Sequence, residues 1–398
     1  MSKKEEKNIS ELLPKKKNLK HLNIYFHCSE NSGVGLYRQY LWAKELQDKG
    51  LANILISDFR WGMGNHINPD MEKLFALGNW ADLFVIGRLD RPDWLAQWGA
   101  IREFFNLPIV MDTDDNVRFV RPTNPGYQGY HPGSEATYWN KFAFRKIFDA
   151  ITVSTNNLKE FHKNEHPKIY VFPNSLDMKA WKVKKKVWKD DKIRINFNGS
   201  SAHTESVQII KQPLLKIMQK YSNVLFSIPF VFKKMFEDYP QEIKNKITFL
   251  PWIKLEDFPK EMANLGIDIG LAPLADNLFN RAKSNLRWME YSALKIPVIY
   301  SPIEAYDCVD NNVDGLVALE REEWYNAMEK LIKDKSLRIK LSDNAYEKVK
   351  KQFNIEINAK KYLPVYEEIV RKHRAFFGDK KKFRPEGKNK WREIKRIV

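Results

Sequence analysis

Two kinds of side chain in this sequence are spaced for chemistry on a charged substrate: cations that open a helix and carboxylates that close a strand. Arg281 and Lys283 lie in a polar loop with Ser284 and Asn285, directly before an amphipathic segment, Leu286 to Leu294. Its apolar and aromatic members are Leu286, Met289, Tyr291 and Ala293, and Glu290 lies among them. Backbone N–H groups at a helix start, the helix dipole and two cations together favour an anion, and a diphosphate is the natural guest. Asp112, Asp114 and Asp115 follow the apolar run Leu107-Pro-Ile-Val-Met111, where active sites form in open α/β sheets. Three readings of these acids compete: a metal-binding pair in Asp112-Thr-Asp114, caps for the following segment, or a carboxylate that takes a proton from a substrate hydroxyl. Arg88, with Asp90 and Arg91, closes another apolar run, Asp82 to Gly87.

Strands and helices must hold these groups. Ile267-Asp-Ile-Gly-Leu-Ala-Pro273 before the cationic loop and Val298-Ile-Tyr300 after the helix are short apolar runs, so the segment reads as strand, loop, helix, strand of a parallel sheet. The pattern recurs. Leu22 to Phe26 is a strand, and Gly33 and Gly35 in the loop after it open a helix from Tyr37 to about Lys49, with Gly50 as its C-cap and Arg38 near the loop. Ile193 to Asn198 is a strand, followed by Gly199-Ser200-Ser-Ala-His203 and a helix from about Glu205. Glycine lets a phosphate approach the backbone there, and the serines can donate to it. Ile54 to Ser57, Asp149 to Ser154, Asn223 to Ile228 and Ile247 to Leu250 are further strands, the last running into Pro251-Trp252. Arg121 to Trp139 is a long loop rich in Pro, Gly, Tyr and His, suited to stacking on a ring or to packing on itself as a lid.

The Lys283-Ser284 loop, Glu290-Tyr291, Ala293 and Pro297-Val298-Ile299 resemble the donor-binding segment of GT-B glycosyltransferases. The likeness is strongest to the retaining, nucleotide-sugar-dependent family of bacterial and phage surface-glycan enzymes. Val171-Phe-Pro-Asn-Ser-Leu-Asp177 is similar to that family's interdomain signature, Gly199-Ser-x-x-His203 to its first donor-domain loop, and Asn312-Val-Asp-Gly315 to its final turn. The resemblance implies an α/β GT-B fold, two Rossmann-like doubly wound domains facing across a cleft. It gives Lys283 the phosphate role and Trp252 a place beside the base. Glu290 becomes the second of two glutamates, eight positions apart, that hold the sugar and ribose. The first falls at Ala282, a departure from the pattern. Arg88 stands where the family has a first-domain histidine, and the Gly33–Gly35 loop faces the acceptor and the diphosphate. His203 is a donor contact, a cap or a packing residue. Strands ending in Asp-x-Asp-Asp recur in such enzymes, which favours a site role for Asp112, Asp114 or Asp115, and a two-domain layout argues against the metal pair. Cations and helix N-termini would stabilise the departing diphosphate without a bound metal. No cofactor is implied beyond a nucleotide-diphosphate sugar as co-substrate.

The 398 residues suffice for two domains. The expected division is a basic leader (1–20), an N-terminal acceptor domain (21–178), a linker (179–192), a donor-nucleotide domain (193–352), a crossing C-terminal helix (353–371) and a basic tail (372–398). Cys28 and Cys308 are the two cysteines, far apart and without metal spacing, so neither a disulfide framework nor a zinc site is expected. No run approaches 18 apolar residues and no apolar signal core opens the chain, giving the expectation of a cytoplasmic protein, peripheral at a membrane if its tails bind lipid. Of the net charge of +17, residues 1–20 carry +4 and residues 371–398 carry +9, so basicity concentrates at the ends. Such tails suit an anionic membrane or nucleic acid, or simply keep the ends solvated. Three functions follow: glycosyl transfer to a glycan or lipid-linked acceptor, phage-type glycosyl transfer to hydroxylated bases of DNA, and nucleic-acid binding without catalysis on a degenerate transferase scaffold.

Overall fold

The computed structural model describes residues 20–28, 32–57 and 71–381. The leader up to residue 19, part of the first glycine loop (29–31) and the tail from 382 lie outside the described residues.

The first domain is a six-stranded parallel sheet of β1 (Asn23–His27), β2 (Asn53–Ile56), β3 (Leu83–Gly87), β4 (Ile109–Thr113), β5 (Ala150–Val153) and β6 (Ile169–Val171), ordered β2-β1-β3-β4-β5-β6. Its central strands are buried on both faces, as near-continuous apolar runs demand of a parallel sheet. Side chains alternate between faces. Tyr25, Phe84 and Met111 meet α2 (Met71–Trp80), α3 (Pro92–Phe105), α4 (Glu135–Lys146) and α5 (Asn156–His162). On the other face, Ile24, Phe26 and Val110 meet α1. This helix comprises the contiguous turns Gly33–Gly35, Leu36–Tyr40 and Leu41–Asp48, the middle one a π turn. It starts before the expected Tyr37 because the Ser32 hydroxyl accepts from the Val34 N–H, and it ends at a left-handed Gly50, φ +62°.

The second domain repeats the plan with β7 (Ile193–Phe197), β8 (Val224–Pro229), β9 (Ile247–Leu250), β10 (Ile269–Ala272), β11 (Val298–Tyr300) and β12 (Leu316–Val317), ordered β12-β11-β10-β7-β8-β9, all parallel. One face packs on α6 (Thr204–Lys220) and α10 (Arg321–Lys333), the other on α7 (Phe258–Asn264), α9 (Leu286–Ala293) and α11 (Lys335–Gln352); the short α8 (Leu278–Arg281) precedes α9. In both sheets the strand order reverses between two neighbours, β1/β3 and β7/β10. Crevices for ligands open at the carboxyl ends of such pairs.

The last helix, α12 (Ile355–Phe377), returns to the first domain. Tyr362 and Tyr366 meet Trp42, Phe26 and Phe172, and Ile355, Ala359, Leu363, Ile369 and Val370 complete that apolar cluster. It runs six residues past the expected Arg371. His373 Nδ1 meets Asp149 at 2.8 Å and Arg374 meets Asp82 at 2.8 Å, which tie the extra turn down.

Candidate active site

The cleft is lined by α1 and the β4 and β5 ends on one side, and by the β7 and β10 ends and α8–α9 on the other. A chain of polar contacts crosses it. The β4 strand runs two residues further than its apolar stretch suggests, so Asp112 is a strand residue sharing a face with Val110 and pointing at α1. Its carboxylate takes Arg38 in a two-pronged pair (3.0 and 2.7 Å), Gln39 at 2.9 Å and Thr152 at 2.6 Å. Both partners of the ion pair are sealed from water, at 0% and 3% side-chain exposure. Arg38 Nη1 also donates to Asn174 Oδ1 at 3.0 Å, and Asn174 Nδ2 donates to Ser284 Oγ at 2.8 Å, so Asn174 joins β4 to the loop before α9. The oxygens of Asp112 are thus occupied by structural donors. That arrangement gives a positioning reason for an acid expected at the strand end.

Asp115 faces the cleft and meets Lys283 Nζ at 3.2 Å, while the same ammonium lies 4.4 Å over the Phe279 ring. Asp114 follows the strand, its carbonyl accepting from the Ser154 hydroxyl at 3.3 Å. Arg281 is turned away from the cleft floor: Asp276 holds it at both prongs (2.6 and 2.9 Å) and Glu304 takes its Nη1 at 2.9 Å. Asn285 stands at the N-cap position of α9 without a side-chain capping bond and donates to Cys308 Sγ at 3.0 Å. Ser200 is exposed, at the start of the short Ser201–His203 turn. Gly35 is buried within α1, and nothing lies within 4 Å of a Cβ placed at Gly33. Trp252 is 78% exposed after the edge strand β9 and stacks on no described ring.

Ala282 explains the departure from the paired-glutamate pattern. It is fully buried and packs into the first domain's core; Thr155 donates to its carbonyl at 3.0 Å, and Asn157 to that of Arg281 at 2.6 Å. A glutamate there would place a carboxylate among apolar side chains of the other domain, at a large desolvation cost. The loop before α9 is pinned to the first domain at the position where the resembled pattern has its first glutamate.

Glu290 points into the cleft and accepts from the Tyr37 hydroxyl of α1 at 2.8 Å. Burial outweighs the pull of Tyr37 and Arg287 and raises its carboxyl from 4.5 to about 7. Because the folded value exceeds the unfolded one, the associated stability is complete below about pH 4.5 and is lost as pH rises through about 7. Glu290→Gln, which fixes the neutral form, should therefore be more stable than the native protein at pH 8 by about 1–3 kcal/mol and equal to it near pH 4. Thermal melts across that range measure this, and a pH-independent difference would contradict it.

Arg88 lies beneath the aromatic loop, 5.3 Å under the Tyr130 ring and 3.3 Å from its hydroxyl, and Tyr130 in turn donates to Asp90. The loop itself reaches across the cleft: Thr123 donates to Glu205 at 2.8 Å, and Tyr127 and Tyr130 pack on a cluster of Val117, Val120 and Phe279. His203 sits at the α6 start, where burial, Arg287 and Lys283 hold its imidazole well below its usual range and therefore neutral.

Sequence reasoning missed Arg287. It is 9% exposed, with Nε donating to the Asn198 carbonyl at 2.6 Å and Nη1 to that of Pro273 at 3.3 Å. The available signal was a lone cation between Leu286 and Trp288-Met289 on a helix buried almost all round.

No protein-family model matches the sequence, and no curated protein matches it. Solved structures do. A sucrose-phosphate synthase from Thermosynechococcus elongatus is similar over 88% of this chain and all of its own, at 13% identity and a TM-score of 0.65. HepE of Anabaena, crystallised with UDP-glucose, is similar over 87% of this chain and all of its own, at 13% identity and a TM-score of 0.61. A glycosyltransferase from Rickettsia africae covers 88% of this chain and 99% of its own, at 14% identity and a TM-score of 0.60. Two parallel six-stranded sheets with flanking helices, in this arrangement, are the GT-B fold.

Proposed function

We propose that this protein is a glycosyltransferase that moves a sugar from a nucleotide-diphosphate sugar to an acceptor hydroxyl. The observation that carries the reading is the cleft pair Lys283 and Glu290, on one loop and helix of the second sheet, facing Asp115 and Tyr37 of the first domain. Structural neighbours that act on or bind nucleotide sugars support it.

In this reading the donor's diphosphate replaces Asp115 as the partner of Lys283. The C1–O bond to the diphosphate breaks as the acceptor oxygen bonds to C1 on the same face, and the departing phosphate oxygen, its charge stabilised by Lys283, takes the acceptor's proton while the released Asp115 carboxylate orients the acceptor hydroxyl. Glu290 orients the sugar, and the loop over Arg88 excludes water. Retention of the anomeric configuration and a role in surface-glycan synthesis belong to the same reading. The basic ends, together +13 by sequence, would hold the enzyme at an anionic membrane bearing a lipid-linked acceptor, or alternatively on DNA.

A thermal-shift panel with UDP, GDP, ADP, CMP and their sugar conjugates tests the donor. A ligand at about 100 times its Kd adds about 2.7 kcal/mol, so one base should raise Tm clearly. No shift with any member would overturn the transferase reading in favour of binding on a degenerate scaffold.

A further inference from the structure

The cations around the cleft are mostly neutralised within the protein. Arg38 has Asp112, Arg281 has Asp276 and Glu304, and Lys283 has Asp115. Arg287 differs. Its guanidinium meets two carbonyls, lies 4.7 Å over the Phe197 ring and faces Tyr306, and among the described residues no carboxylate pairs with it. Glu290 lies near enough to feel its charge but not to pair with it, and a largely buried guanidinium with no carboxylate in contact is costly to keep, which points to an anion supplied from outside.

The two carbonyls locate that anion. Asn198 follows β7 and Pro273 follows β10, the adjacent strands where the sheet order reverses and open α/β sheets take their ligands. Arg287 Nη2 has no carbonyl or carboxylate partner among the described residues and lies against Gly199, where a Cβ would sit only 2.9 Å from it. The same turn leads into the 17-residue helix α6, whose N-cap, His203, makes no side-chain capping bond, and His203 Nδ1 is buried without a partner. A guanidinium with no carboxylate in contact, a helix start with no side-chain cap and an orphaned imidazole nitrogen thus border one glycine.

We propose that Arg287, and not Arg281, is the guanidinium that binds the donor's diphosphate, in a cradle formed over Gly199 with His203 and the α6 N-terminus. This rests on the nucleotide-sugar reading above and names its second phosphate-binding cation beside Lys283. Gly199 is then required for space, since any side chain there would push Nη2 away.

The test is calorimetric titration of the full-length protein with three probes: the nucleoside diphosphate that stabilises it, the matching nucleoside, and pyrophosphate. Arg287→Gln should keep nucleoside affinity, lose about 10- to 100-fold in diphosphate affinity and lose pyrophosphate binding; Arg281→Gln should change diphosphate affinity by less than about threefold. Gly199→Ala should reproduce the diphosphate loss with the arginine intact. If Arg287→Gln fails to fold, Arg287→Lys replaces it; a single ammonium cannot span both carbonyls and a phosphate, so about tenfold weaker binding is expected. A folded Arg287 variant that binds diphosphate as the native protein does would overturn the proposal and leave the donor site standing. Native protein that binds pyrophosphate through Arg287 but no nucleoside diphosphate would support the anion site and remove the donor reading, and one that binds neither would overturn both.

Discussion

Lys283→Ala should lower kcat/KM for sugar transfer about a hundred- to a thousandfold, the cost of deleting one preorganised group at a developing anion. The melting temperature should barely move. Lys283 faces Asp115 across a partly exposed contact, 16% and 26% by side chain, and such pairs contribute about 0–1 kcal/mol. Activity and stability therefore separate at this residue. The loss should lie mainly in kcat if the ammonium meets charge that develops on the leaving oxygen, and in KM if it only holds ground-state phosphate. Steady-state kinetics beside a thermal melt decide this. A variant within about threefold of native kcat/KM would remove Lys283 from the reaction.

Asp112→Asn should do the opposite, destabilising the fold by about 3–5 kcal/mol. The substitution leaves the Arg38 guanidinium fully buried with no carboxylate, and Thr152 and Gln39 lose a charged acceptor. Denaturant midpoints measure the effect. Replacing both partners, Asp112→Leu with Arg38→Met, removes the unpaired charge and should cost less than Asp112→Asn alone. An Asp112→Asn protein of native stability and no activity would instead make this carboxylate a chemical participant.

Most strands were legible because each is an apolar run too short for anything else, closed by glycine, proline or polar residues, whereas the three-residue β6, Ile169–Val171, was not read. Asn174 was legible as part of a turn, but its task of linking Arg38 to Ser284 was not, since those partners are 136 and 110 residues away. Arg287 went unread, and the Asp276 and Glu304 partners of Arg281 were invisible, because local periodicity reports which residues are apolar and not which carbonyls or carboxylates the fold brings up to a cation. Asp112 was placed at a strand's carboxyl end, just past the apolar run that closes at Met111, and it lies within β4. Its strand continues because Arg38, from a π turn in α1, arrives to neutralise it.

The returning helix also dictates when the protein can become itself during synthesis. The first domain's face of Ile24, Phe26, Trp42 and Phe172 is covered by Ile355 through Val370, residues made only after the entire second domain has been synthesised. Until then the nascent first half carries an open greasy flank, a natural resting place for a chaperone. A nonsense mutation in the last tenth of the gene would accordingly damage the beginning of the chain, and the two lobes should melt as one cooperative unit.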